Sequence, residues 1–484
     1  MRITAEGWGW RYATRKAWSL RNLDLTIESG ERVLLLGASG VGKSTLLAAL
    51  TGVLDDGEET GRLLIDGIHP TRLKGKVGLV QQNPESQLIL ERVGDDVAFG
   101  LENLAVPRER IWPIVHQALE QVRLDVSLHH STGKLSGGQQ QRLAIAGSLA
   151  MQQVSDRPGL LLLDEPTANL DPAGVVEVRD TIRDVLNRTE TTLIVVEHRV
   201  SVWAELVDRV IVIGEDGLLA DGAPAEVFAS QGETLAAAGC WVPGISHELS
   251  IDSSRTISAN TPVLTAENLA IGYGVAVQEA LNLQIPQGLS TVITGENGAG
   301  KTTLALTLAG LHRALDGSVL AAPEIAAGVK TRKREPRNPI NWTARELLPR
   351  IGTVFQHPEH QFVENTVEKE LAVGLVASHK TAAEIAARVA ESAEALRLTK
   401  LLKASPYTLS GGEQRRLSVA GVLATNPKLI FLDEPTFGQD RLTWISLVEI
   451  IRELLATGTS VVSITHDPEY LSLLGEHRIH LERR

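Results

Sequence analysis

Gly37-Ala38-Ser39-Gly40-Val41-Gly42-Lys43-Ser44-Thr45 follows one short apolar run, and Gly295-Glu296-Asn297-Gly298-Ala299-Gly300-Lys301-Thr302-Thr303 follows another. Each stretch reads as a strand, a glycine-rich turn and the start of a helix. Such a turn wraps a polyphosphate because its backbone amides point inward and the helix behind it offers its positive end. Glycine admits the close approach that a side chain would block. Lys43 and Lys301 are expected to bridge the β- and γ-phosphates, and the Ser44 and Thr302 hydroxyls to bind magnesium. One such loop alone can be no more than a tight strand–helix turn. Two loops, each trailed by the same four elements in the same order, are not coincidence.

Those elements are a glutamine (Gln82, Gln356), a Leu-Ser-Gly-Gly signature, a Leu-Asp-Glu-Pro-Thr run and a late histidine (His198, His466). From Gln82 to Ser136 is 54 residues, as is Gln356 to Ser410; Asp164 to His198 is 34, and Asp433 to His466 is 33. Lys43 to Gln82 is 39 and Lys301 to Gln356 is 55, so the second copy carries 16 extra residues there (55 minus 39). That is loop-scale variation on a duplicated scaffold. Asp164 and Asp433 end apolar runs, where a carboxylate can meet a magnesium shell. Glu165 and Glu434 follow directly, placed to polarise an attacking water. Adjacent carboxylates after a buried strand are costly unless a cation or hydrogen bonds compensate them. His198 and His466 are read as γ-phosphate contacts from their matched placement. Leu135-Ser136-Gly137-Gly138-Gln139 and Leu409-Ser410-Gly411-Gly412-Glu413 open helical patterns, and a serine with two glycines there offers free amides to an anion.

The 484 residues carry a net charge of −12, which argues against a nucleic-acid footprint over most of the surface. A single cysteine, Cys240, excludes internal disulfides and cysteine-rich metal sites; it reads as a free thiol in a linker. The first residues lack a charged-then-apolar signal pattern, and no stretch reaches the roughly 18 apolar residues of a membrane span. The chain is expected to be soluble, with any membrane role supplied by partners.

Both halves fit an α/β pattern. Residues 22–28 and 280–286 alternate as half-exposed antiparallel strands do. The short runs at 32–36, 160–163, 193–196, 291–294, 429–432 and 461–464 suit parallel strands buried on both faces. Residues 108–123 and 380–396 have helical spacing. The expected division is a first domain at 1–230, a Ser-, Thr- and Gly-rich linker at 231–262 and a second domain at 263–484.

Over essentially all of each half, these residues resemble ABC-type ATPase domains. The resemblance implies two tandem P-loop domains, each a mainly parallel sheet core with an antiparallel β subdomain and a helical subdomain, binding ATP and Mg2+. It also implies head-to-tail pairing of the two domains, with ATP sandwiched between the phosphate loop of one and the signature of the other. One site would then combine Lys43, Ser44, Gln82, Asp164, Glu165 and His198 with Ser410 and Gly412. The other would combine Lys301, Thr302, Gln356, Asp433, Glu434 and His466 with Ser136 and Gly138. In both, the glutamine would join the hydroxyl and the aspartate at the metal. Tyr12 and Tyr273 match the aromatic position that stacks on adenine. Asn169-Leu170-Asp171 matches the family's D-loop, whereas Gly438-Gln439-Asp440 departs from it, which would make the two sites unequal. Closing such a sandwich needs roughly 5.5 kcal/mol of differential binding, within reach of two or three γ-phosphate bonds of about 1.5–3 kcal/mol each.

After each glutamine stands a further matched stretch, Gln82-Asn-Pro84-Glu85-Ser-Gln87 and Gln356-His-Pro358-Glu359-His-Gln361. It resembles the short helix of energy-coupling factor transporter ATPases, importers of vitamins and metal ions. The resemblance implies docking of a transmembrane component near Gln82–Gln87 and 356–361, a separate substrate-binding membrane subunit, and a place on the cytoplasmic face of the membrane. A tandem sugar-importer ATPase and a ribosome-acting tandem ABC protein are alternatives, and a DNA-repair ABC ATPase, which needs zinc cysteines or long coiled coils, is a third. The first commonly has a degenerate second loop, whereas Lys301 and Glu434 are intact; the second usually has a long charged helical linker. Lys330-Thr-Arg-Lys-Arg-Glu-Pro-Arg337 reads as a solvated loop, with a contact to anionic lipid or RNA as the other reading.

Overall fold

A computed structural model describes residues 1–13, 17–38, 40–154, 158–167, 170–214, 216–245, 261–331, 335–436 and 438–483. Ser39 of the first phosphate loop, Asn169 of the D-loop match, residues 332–334 of the basic stretch and residues 246–260 of the expected linker lie outside them. The chain divides into two compact units, Met1–Ser246 with Asp440–Leu442, and His247–Gln439 with Thr443–Arg484.

Strands of the first unit are, in chain order, Ile3–Tyr12 (β1), Leu20–Ile27 (β2), Arg32–Leu36 (β3), Gly57–Ile65 (β4), Gly78–Val80 (β5), Leu160–Asp164 (β6), Thr192–Val196 (β7), Arg209–Gly214 (β8) and Gly217–Gly222 (β9). Two sheets result, an antiparallel β2-β1-β4 and a larger β5-β6-β7-β3-β8-β9. In the larger sheet only the edge strand β9 runs antiparallel. Its central strands are unbroken Leu, Ile and Val runs because both faces are covered. Leu161, Leu163, Val195 and Leu34 pack with the helices on one side; Leu160, Leu162, Ile194 and Leu35 pack toward the antiparallel sheet on the other.

The second unit repeats the plan with Pro262–Tyr273 (β10), Val275–Pro286 (β11), Ser290–Gly295 (β12), Asp316–Ala321 (β13), Ile351–Val354 (β14), Leu429–Asp433 (β15), Ser460–Ile464 (β16) and His477–Leu481 (β17). The order is β11-β10-β13 in the antiparallel sheet and β14-β15-β16-β12-β17 in the parallel one. The 16 extra residues fall around the short helices Pro323–Ala326 and Ala344–Leu347. Two basic residues at the ends of that loop are tied down: the Lys330 amide donates to Glu346, and Arg337 Nε donates to the Ala321 carbonyl at 2.7 Å.

One boundary differs from the sequence reading. The first domain was expected to end at 230, but the helix Pro224–Ala237 crosses that point. Leu235, Ala236, Cys240 and Val242 are buried in the first unit's core. Gly232, which suggested a linker, is small for packing: a Cβ there would come within 3.2 Å of Val242 and Ile245. Cys240 is accordingly a core thiol, pushed up to about 11 by burial. At the other end, β10 already begins at Pro262. Among the described residues, no helix is long and apolar enough to cross a membrane.

Candidate nucleotide site

Register carries the site residues to one edge. Leu35 of β3 and Asp164 of β6 both pair with Val196 of β7. The glycine loop after β3, the carboxylates after β6 and the histidine after β7 therefore leave neighbouring strands at the same level. Ile293 of β12 and Asp433 of β15 both pair with Ile464 of β16, giving the second unit the same convergence. Carboxyl ends of parallel strands are where open α/β sheets bind ligands.

The loop backbones need glycine at defined points. Gly42 lies at φ 97° and caps the helix Lys43–Thr51; a Cβ there would stand 2.5 Å from the Ser19 carbonyl oxygen. Gly300 plays the same part at φ 90° before the helix Lys301–Leu308. Lys43 Nζ curls back onto the Gly37 and Ala38 carbonyls at 2.8 and 3.0 Å, and Lys301 Nζ onto Gly295 and Glu296 at 2.7 and 2.9 Å. Both ammonium groups thus sit inside their loops, where a bound phosphate would meet them.

Glu165 and Glu434 each take a left-handed backbone, φ 49° and 48°, with the amide held by the neighbouring strand, Val196 or Ile464, at 2.9 Å. In the first unit the Glu165 carboxylate accepts from Gln82 Nε2 at 2.8 Å and lies 3.2 Å from His198 Nε2. Glutamine, glutamate and histidine are thereby brought together. In the second unit His466 Nε2 stands 3.9 Å from Glu434. Thr302 Oγ1 donates to Asp433 Oδ2 at 2.7 Å. Tyr12 Oη and Thr45 Oγ1 are 3.3 Å apart, whereas Tyr273 is 72% exposed and lies on His312 with ring centroids 4.4 Å apart.

Ser136 and Ser410 are N-caps of the helices Gly137–Gln152 and Gly411–Ala424. Each closes a capping box, with Gln139 and with Glu413 respectively, so their hydrogen bonds stay within their own helix starts. In the second unit the Ser410 hydroxyl also donates to the Glu413 carboxylate at 2.9 Å.

A family model described as ABC transporter matches residues 20–168 and 278–437. The chain belongs to the ABC transporter family. A protein of Methanosarcina acetivorans, provisionally described as an ABC transporter ATP-binding protein, is 34% identical over 95% of this chain and 81% of its own length. YkoD of Bacillus subtilis, provisionally described as an HMP/thiamine import ATP-binding protein, is 32% identical over 97% of this chain and 88% of its own. Among solved structures, RNase-L Inhibitor covers 98% of this chain and 87% of its own with a TM-score of 0.61 at 20% identity, a likeness of fold.

The two ABC domains are ATPases that take ATP with Mg2+. The donors present suit that ion: one hydroxyl and one carboxylate per unit, hard oxygens that leave room for phosphates and water. Ser44 with Asp164, and Thr302 with Asp433, would hold it. When bound, the ion neutralises charge on the phosphates. Burial and Glu165 push the Asp164 carboxyl up to about 6, against the Ser44 hydrogen bond and Lys43. Burial and Asp433 push Glu434 up to about 7, against Lys301 and Arg415. Burial lowers Lys43, opposed by Glu165 and Asp164. Each unit therefore concentrates acids that gain from an arriving cation.

Sequence reasoning missed Glu197. Buried at 4% exposure, it accepts from the Thr167 amide at 3.0 Å, from the Thr167 hydroxyl, and from the His198 and Arg199 amides at 3.0 and 3.3 Å. It latches the Leu-Asp-Glu-Pro-Thr run to the histidine. Thr465 takes its place in the second unit, and Asp467, two residues on, takes over: its Oδ2 accepts from Thr436 Oγ1 at 3.0 Å and Trp444 Nε1 at 2.6 Å. A charged residue directly before a late histidine was the available signal.

Proposed function

We propose that this chain is the energy-coupling ATPase of an energy-coupling factor type importer for a vitamin or metal ion, acting from the cytoplasmic face of the membrane. The observation that carries the reading is the repeated turn after each glutamine. Gln87 Oε1 accepts from the Gln81 amide at 2.8 Å and its Nε2 donates to the Leu79 carbonyl at 2.9 Å; Gln361 does the same with Phe355 and Thr353 at 3.2 and 2.9 Å. At the far end, Asp96 accepts from the Ile89 and Leu90 amides and Glu370 from Val363 and Glu364. Both turns are thus built rigid while presenting Ile89 (61% exposed) and Val363 (72% exposed) outward, as suits a docking surface for transmembrane and substrate-binding subunits. YkoD's import description over nearly the whole chain supports the same reading.

The proposed chemistry assigns Lys43 and Lys301 to the phosphates, Gln82 and Gln356 to the metal's surroundings, Glu165 and Glu434 to the attacking water, and His198 and His466 to the γ-phosphate. Tyr12 and Tyr273 receive adenine, and Ser136, Gly138, Ser410 and Gly412 complete the triphosphate contacts, as the family pattern implies. Detergent extraction of membranes containing the tagged full chain tests the importer reading. Recovery of a small hydrophobic membrane protein in fixed ratio is expected, and recovery only with ribosomal particles would overturn it.

A further inference from the structure

Two matched helix starts diverge at one buried position. Ser410-Gly-Gly-Glu-Gln is followed by Arg415, whereas Ser136-Gly-Gly-Gln-Gln is followed by Gln141. Arg415 is 5% exposed. Its Nη1 donates to the carbonyl oxygens of Phe355 at 3.0 Å and Asp433 at 3.1 Å, and its Nη2 to that of Gln356 at 2.8 Å. One rigid, planar group therefore joins the signature helix, the glutamine loop and the end of β15. Gln141 is 1% exposed, and its Nε2 finds no hydrogen-bond partner among the described residues. An amide has two donors on one nitrogen where a guanidinium has five in a fork, and among the described residues Gln141 does not bridge the same span.

We propose that Arg415 is a positioning residue that ties the signature helix of the second unit to Gln356 and to the Asp433–Glu434 pair. Movement of that helix is passed by the tie to the metal-facing carboxylate and its water-orienting neighbour. The first unit lacks it, so the two nucleotide sites respond differently to the same helix movement. The proposal rests on the ATPase reading and adds a residue that touches neither nucleotide nor metal.

The test is steady-state hydrolysis of Mg·ATP by the full chain, with kcat counted per folded molecule. Arg415→Gln should lower kcat about tenfold while the ATP KM stays within about twofold, because the carboxylates shift but the phosphate loops do not. Arg415→Lys, keeping the charge but losing the fork, should give an intermediate loss. Gln141→Leu, which removes an unbonded amide, should leave kcat within about twofold. An unchanged kcat in the arginine variants, a KM rising in step with the loss, or an equal loss in Gln141→Leu would overturn the tie. If Arg415→Gln does not fold, Arg415→Lys decides alone. A parent chain without Mg-dependent hydrolysis would sink the ATPase reading together with the proposal.

Discussion

Glu197→Gln is a nearly isosteric change that should be expensive. The carboxylate serves the Thr167 amide and hydroxyl with one oxygen and the His198 and Arg199 amides with the other. Glutamine must turn an NH2 group toward one pair. Facing His198 and Arg199, it orphans two buried N–H groups; facing Thr167, it orphans one, because the threonine hydroxyl can turn and accept. The cheaper arrangement still leaves one buried donor unsatisfied and removes the charge from the remaining bonds, a cost of about 3 kcal/mol. In a unit of this size that corresponds to a melting shift of roughly 6–12 °C. Scanning calorimetry of the full chain should show the loss in the first unit's transition, with the second as an internal standard. Turnover should fall as well, since the Thr167 amide, two residues after Glu165, loses its acceptor and the run its charged tie to the histidine. A shift under about 2 °C with unchanged turnover would refute the latch.

Glu165→Gln and Glu434→Gln should each spare nucleotide binding while lowering hydrolysis, together by about 100-fold or more, and unchanged steady-state hydrolysis in the double variant would refute those roles. Glu434 gives opposite pH trends. Its folded value of about 7 lies above the ordinary 4.5, so its contribution to nucleotide-free stability is full below 4.5 and is lost as pH rises through 7. Its share of kcat/KM, which reports the nucleotide-free enzyme, should instead rise through about 7 as the carboxylate ionises; denaturant titrations and pH profiles of kcat/KM for parent and Glu434→Gln check both. Gly42→Ala should weaken nucleotide binding more than Gly300→Ala. Both backbones are left-handed, but the first Cβ meets the Ser19 carbonyl oxygen at 2.5 Å and the second comes no nearer than 3.3 Å, to the side-chain atom Val277 Cγ2.

The parallel strands were legible because apolar runs such as Leu160–Asp164 have few other uses, and the phosphate loops because their glycine spacing is dictated by backbone geometry. Glu165 and Glu434 were legible from adjacency to those strands. What escaped depended on distant partners. Nothing near Arg415 in sequence reveals that its acceptors are 60, 59 and 18 residues away. The helix across residue 230 escaped because Ser230-Gln-Gly-Glu-Thr234 looks like a hinge until Gly232 is seen against Val242 and Ile245.

The latch described above has a historical side. One copy joins its threonine to the strand end through Glu197, its sibling through Asp467, and the acid has migrated two positions between them. Writing threonine at 197 alone, as the sibling has at 465, would strand Thr167 with nothing at 199 able to accept, since an arginine stands there. The order of exchange therefore matters: an acid has to stand at 199 before the one at 197 can be given up.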